Sequence, residues 1–198
     1  VQRIIEASKE LGAAPLIGIR ARLSSRSTGR WGNSVGEKAK FGLPVPEILA
    51  TVEALKDAGL LEELRLLHFH VGSQINDIAV VKDALQEASR IYVELHKLGA
   101  PMGYMDVGGG LGIDYDGSRT ATAASTNYSL QNYANDVVAT VKEGCEPHDV
   151  AVPTLVSESG RAIASHFSVL VFNVLGTGGL SQTTPSRSGE QALIVRNL

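Results

Sequence analysis

The stretch Asp106–Ser118 reads DVGGGLGIDYDGS: three consecutive glycines at the end of an apolar run, then two aspartates around a tyrosine. Glycine gives up more backbone entropy on ordering than any other residue, so three in a row imply that something comes very close to the main chain. At the C-terminal end of a strand, unblocked backbone N–H groups can ring a phosphate; a bare tight turn is the structural alternative. No Lys-Ser or Lys-Thr pair follows, so this is not a Walker loop, and GGGLG lacks the dinucleotide spacing. The pattern suits a phosphate held by backbone donors without a metal.

Outward from this stretch one arrangement recurs, a helical pattern followed by a short apolar run and a polar or glycine-rich loop. VQRIIEASKELG (1–12) is helical, with Gly12 as its stop, and PLIGIRARL (15–23) is a strand. A long polar loop (24–40) precedes the helix VPEILATVEALKDAG (45–59), with Pro46 in its first turn, and the strand LRLLHFHV (64–71). The longest helix (77–99) is capped by Asn76 or Asp77 and closed by Gly99, and the strand MGYMDV (102–107) runs into the glycines. A further helix (129–144) and the strand PTLVSESG (153–160) follow. HFSVLVFNVLG (166–176), rich in β-branched and aromatic residues, predicts a longer strand of another type before a tail rich in serine, threonine and glycine.

Buried strands alternating with helices mark parallel βα units. They fit either a doubly wound sheet or a (β/α)8 barrel of which this chain supplies about half. Polar residues gather after every strand: Arg20 and Arg22, then His70 and Ser73, then Asp106 and the glycines, then Glu158 and Arg161. A barrel, whose strand ends all feed one site, accounts for that distribution better. The expected organisation is an α/β partial barrel over 1–165 leading into the start of a β domain over 166–198.

Composition narrows the function. With 43% hydrophobic and 20% charged residues and a net charge of −3, the 198-residue chain reads as globular, and without a dense Lys/Arg block it offers nothing to nucleic acid. The single cysteine, Cys145, makes no internal disulfide. No apolar stretch approaches the roughly 18 residues of a membrane span. Val1 already stands in a helical pattern and Leu198 comes just after ALIV, so an internal piece of a longer chain is expected.

His70 closes the strand on the same face as His68, with Phe69 opposite, and the VGS that follows sets it beside a glycine and a hydroxyl, as in a ligand site. The alternative is a structural strand histidine, the reading kept for His68. His96 and His166 have no comparable context, and no His or Cys pair has the spacing of a zinc site, so no metal is expected. In SESGR (157–161), Glu158 follows an apolar run and needs a cation or donor. Either Arg161 pairs with it, or Arg161 reaches a phosphate while Glu158 meets a protonated ring nitrogen. Asp114 and Asp116 are attractive partners for a cationic substrate by position, but read as a polar turn.

HFHVGSQ (68–74), DVGGGLGIDYDGS, NYSLQNYANDVV (127–138) and SESGRAIASH (157–166) together resemble the pyridoxal-phosphate-dependent biosynthetic arginine decarboxylases of bacteria and plants. Their group includes the ornithine and diaminopimelate decarboxylases and has a barrel like that of alanine racemase. The likeness runs from GEKAKFGL (36–43) to ASHFSVLVFNV (164–174). HVGS, the triple glycine and Glu-x-Gly-Arg mark the wider group, whereas GIDYDGS, NYSL and SESGRAI mark the arginine branch; Ser159 stands where the relatives usually have proline. The resemblance implies decarboxylation of L-arginine to agmatine and CO2 in polyamine biosynthesis. It places His70 on the face of the pyridine ring, and Ser73, Gly108, Gly109, Gly110, Gly160 and Arg161 around the cofactor phosphate. Glu158 is implied at the pyridine nitrogen, so Glu158 and His70 are the catalytic pair. It further implies a homo-oligomer with shared sites, admits Mg2+, and puts the protein in the cytoplasm if bacterial or the plastid if plant.

Such chemistry requires a lysine bonded to the cofactor. Lys9, Lys38, Lys40, Lys56, Lys82, Lys97 and Lys142 lie in helical patterns or the long loop, and none ends a strand. The resemblance puts that lysine on a barrel strand before Val1 and a Cys and acidic pair in a C-terminal domain, so this chain alone is expected to be inactive. Lys40 is the same type as a supporting lysine of the relatives, and either Arg20 or Arg22 matches a cofactor-shell arginine. The alternatives are an ornithine or diaminopimelate decarboxylase, a non-catalytic barrel homologue, and a doubly wound nucleotide-binding domain.

Overall fold

Four of the apolar runs become strands, β1 (Ile17–Arg20), β2 (Leu64–His68), β3 (Tyr104–Asp106) and β4 (Thr154–Val156). The structure, a computed structural model, describes residues 1–24, 40–168 and 170–178. Most of the polar loop, Lys38 and nearly all of the serine-rich tail lie outside the described residues. The helices are α1 (Gln2–Leu11), α2 (Val45–Asp57), α3 (Ile78–Lys97), α4 (Leu130–Cys145) and the short α5 (Gly160–Ala164).

Strand order settles the architecture. The sheet runs β1-β2-β3-β4 with every neighbouring pair parallel. A doubly wound sheet reverses its order at a switch point and carries helices on both faces. Here the order is sequential and one face is covered. Ile19, Leu67, Met105 and, just past the strand ends, Phe69 and Val107 join one buried core with Val52 and Leu55 of α2, Leu85 and Tyr92 of α3, and Val137 and Val141 of α4. The alternate residues Gly18, Arg20, Leu66, His68, Tyr104 and Val156 stay out of that core. Such a sheet is an arc of a (β/α) barrel, with its second face turned toward the barrel interior.

Local chemistry sets the helix starts. The Asp77 carboxylate accepts the Ala79 N–H at 3.0 Å to open α3. Ser129 and Asn132 satisfy each other's backbone amides at the start of α4 in a reciprocal cap. Each places the end of the preceding strand-to-helix loop.

The described residues fall into two units, one over Val1–Phe167 and one that begins at Ser168. The strand expected over 166–176 does not form among the described residues, and Leu170, Val171, Phe172, Val174 and Leu175 are exposed. A strand exists only where another supplies its hydrogen-bond ladder, and no described strand pairs with this segment. β-propensity alone does not make a sheet.

Candidate functional site

Register lines up the polar strand ends. Arg20 pairs with His68, His68 with Asp106, and Asp106 with Val156, so these residues form one row on the face away from the helices. Continuing the alternation two residues further brings His70, Gly108 and Glu158 to the next level. β2 ends at His68, so His70 stands in the loop just beyond the strand rather than at its end.

The three glycines are where the strand-to-helix loops meet. A Cβ on Gly108 would strike the Phe69 carbonyl oxygen and lie 3.2 Å from His70 Nδ1. On Gly109 it would strike the Glu158 carbonyl oxygen, and on Gly110 the carbonyl oxygen of Gly72, 3.4 Å from Ser73 Cα. The backbone that comes close at these three positions is the protein's own. The Glu158 N–H donates to Gly108 O at 2.8 Å and so locks the β4 loop onto the turn. The Gly108 N–H is itself committed, donating to Asp106 Oδ1 at 2.9 Å. Of the expected amide donors, only those of Gly109 and Gly110 donate to no acceptor among the described residues.

The alternative pairing of Glu158 with Arg161 is not what the structure shows. Arg161 Nη2 donates to Ser73 Oγ at 2.7 Å and Nη1 to Gln74 Oε1 at 3.3 Å. Glu158 instead has a carboxylate oxygen within 4.8 Å of ligand atoms of His68 and Asp106. His68 Nδ1 lies 2.8 Å from Asp106 Oδ2, a close polar approach without the angle of a directed hydrogen bond. His68, read from sequence as structural, is thus part of the polar cluster. Strand register creates this grouping, so no local His or Cys spacing announces it.

His70 has its pKa held below the ordinary 6.5, first by burial and then by the positive charge of Arg20 and by His68, against the opposing pull of Glu158 and Asp106. The imidazole is neutral at pH 7. Arg20 is accordingly the arginine that acts on this cluster, and its guanidinium lies 5.3 Å from the Phe41 ring centre, a ring that Lys40 Nζ approaches at 5.6 Å. Arg22 places Nε and Nη2 on the Gly42 carbonyl at 3.2 and 3.1 Å.

Asp114 and Asp116 serve their own loop. Asp114 Oδ1 accepts from Ser125 Oγ at 2.5 Å and Asp116 Oδ1 from the Ser118 N–H at 2.9 Å. Tyr128, given no role of its own within NYSL, donates its hydroxyl to Ile75 O at 2.7 Å and accepts the Gly112 N–H at 2.9 Å, tying the loops after β2 and β3 together.

Residues 2–165 match the family model of the pyridoxal-dependent decarboxylases, pyridoxal binding domain. The chain belongs to this family. As a pyridoxal-dependent decarboxylase domain it is 78% identical over 198 residues to the biosynthetic arginine decarboxylase of Parasynechococcus marenigrum strain WH8102. It is 72% identical over 198 residues to that of Prochlorococcus marinus strain MIT 9303. The chain spans about a third (31%) of the length of these curated relatives. Among solved structures it is similar to the biosynthetic arginine decarboxylase of Campylobacter jejuni, with a TM-score of 0.68 and 38% identity over 81% of this chain and 25% of that one. It is also similar to the Helicobacter pylori diaminopimelate decarboxylase complexed with L-lysine, with a TM-score of 0.66 and 26% identity over 82% of this chain and 38% of that one.

Proposed function

We propose that this chain is the pyridoxal-phosphate-binding part of an arginine decarboxylase, which converts L-arginine to agmatine and CO2 for polyamine biosynthesis. The observation that carries the choice of arginine is 78% identity along the whole chain to a biosynthetic arginine decarboxylase, against 26% to a diaminopimelate decarboxylase.

The donor set fits the cofactor. An anionic phosphate suits the Gly109 and Gly110 amides and the Ser73 hydroxyl beside them, with the Arg161 guanidinium already on Ser73. Gly160 precedes Arg161 at the start of α5 and leaves that approach without a side chain. A protonated ring nitrogen suits the Glu158 carboxylate, which holds that proton in place. His70, uncharged and touching the Gly108 turn, offers a flat face for the ring to stack on. Bound pyridoxal phosphate supplies the electron sink for the pair left when the carboxylate departs as CO2. What the chain adds is orientation: Asp106 braces the glycine turn through the Gly108 N–H and faces His68 with its other oxygen.

Of the described lysines, Lys9, Lys56, Lys82, Lys97 and Lys142 lie on α1 to α4, and Lys40 stands at the Phe41 ring. The covalent lysine is assigned to the part of the enzyme outside this chain. The same reading takes the enzyme as a homo-oligomer with shared sites and, given its bacterial relatives, as cytoplasmic; Mg2+ rests on the resemblance alone. The test is CO2 release by the full-length enzyme, supplied with pyridoxal phosphate, from L-arginine, L-ornithine and diaminopimelate. Arginine is expected to be turned over fastest; a preference for either of the others overturns the assignment.

A further inference from the structure

Gln74 is buried, yet its backbone is left-handed, with φ at 54°. A non-glycine residue in that region carries strain and persists where its surroundings fix it. Its side-chain amide explains the persistence. Nε2 donates to Ile113 O at 2.7 Å and to Ser125 O at 3.4 Å, while Oε1 accepts the Ile113 N–H at 3.1 Å and Arg161 Nη1 at 3.3 Å. Every hydrogen-bonding position of the amide is used. Its orientation is not free either, because the N–H and C=O of Ile113 have fixed polarity and only one way round satisfies both. That orientation turns Oε1 to the guanidinium.

We propose that Gln74 is a positioning residue for Arg161, holding the guanidinium at the phosphate end of the site and tying it to the loop after β3. The inference rests on the reading of Arg161 as a phosphate ligand. Ser125 O takes one amide proton of Gln74, and the Ser125 hydroxyl is bonded to Asp114. The GIDYDGS segment is thus wired through one buried amide to the arginine on α5, and its order and cofactor affinity rise and fall together. Ser73 orients the guanidinium from the other side, but as an exposed hydroxyl contact it lacks the fixed polarity that the Ile113 backbone imposes on Gln74.

The test is a binding cycle on the full-length apo-enzyme, titrated by fluorescence with pyridoxal 5′-phosphate and, separately, with pyridoxal, which has no phosphate for Arg161 to hold. Gln74→Met keeps the length of the side chain and removes its polar atoms. It is expected to raise the Kd for pyridoxal 5′-phosphate about tenfold or more, the scale of a charge-assisted contact, and to leave pyridoxal unchanged. In an Arg161→Ala background the same change is expected to do nothing further. Equal weakening toward both ligands, or an undiminished effect without Arg161, overturns the proposal. Arg161→Ala that weakens phosphate binding while Gln74→Met does not sinks the positioning role alone; Arg161→Ala without effect sinks the phosphate reading and the proposal with it. If Gln74→Met fails to fold, Gln74→Glu, which keeps the acceptor for Ile113 and Arg161, is run through the same cycle, and its effect must likewise vanish without Arg161.

Discussion

Asp106 and His68 stand on neighbouring strands with Oδ2 and Nδ1 2.8 Å apart, and the other Asp106 oxygen holds the Gly108 N–H. One buried carboxylate thus couples the floor of the polar cluster to the glycine turn. Asp106→Asn keeps the shape and an acceptor for Gly108 but loses the charge facing His68. Expected is a loss of about 1–3 kcal/mol in the full-length enzyme, read as a lower denaturant midpoint at unchanged slope. Asp106→Asn with wild-type stability would show that the contact carries no weight.

The glycine turn gives a sharper contrast. At Gly110 a Cβ would overlap the Gly72 carbonyl oxygen and φ is 87°, whereas at Gly117 a Cβ meets nothing and φ is 75°. Gly117→Ala therefore costs only the left-handed backbone penalty, about 1–2 kcal/mol. Gly110→Ala adds overpacking against main chain that cannot swing aside, for a total of about 3 kcal/mol or more. Thermal denaturation of the two variants side by side is the measurement, and equal losses would contradict the packing account.

Much of this was legible in the sequence, and the rest was hidden for a definite reason. The four strands and the helices between them follow from short apolar runs and capping residues, and GGG from its place after MGYMDV. What escaped depends on pairings between distant segments. His68 reads as an interior strand residue until register sets it beside Asp106. Gln74 meets Ile113 across 39 residues and Arg161 across 87, so no local pattern signals it. The Arg20 and Arg22 ambiguity had the same origin, since a spacing of two leaves both on one face and only the partners, the His70 cluster against the Gly42 carbonyl, tell them apart. The segment 166–176 failed the other way: its composition suits a strand, but no described strand pairs with it.

The depressed pKa of His70 gives the protein a pH dependence of definite sign. An unfolded histidine takes up its proton near the ordinary 6.5, whereas His70 in the fold does so at lower pH. Between those values the unfolded chain binds more protons, so this contribution is full above about pH 6.5 and is lost as pH falls through the folded value. Proton titration of the His70 imidazole by NMR is expected to show it below 6.5. Arg20→Gln moves it up, because a repelling cation is gone, and Glu158→Gln moves it down. Movement of either variant in the opposite direction would contradict the electrostatic arrangement.

Glu158 offers the most direct link between the arrangement and the proposed chemistry. Its main chain is held by Gly108, and its carboxylate is near His68 and Asp106 rather than neutralised by Arg161. Glu158→Gln preserves size and most contacts but cannot hold a proton on a ring nitrogen by charge. In the full-length enzyme kcat for arginine is expected to fall at least about a hundredfold, the scale of losing one preorganised electrostatic partner, with KM changed much less. That split separates a loss at the transition state from a loss of binding, and the backbone bond from Glu158 to Gly108 should keep the fold intact, as circular dichroism would verify. A variant with near-normal kcat would place the proton elsewhere and remove Glu158 from the reaction.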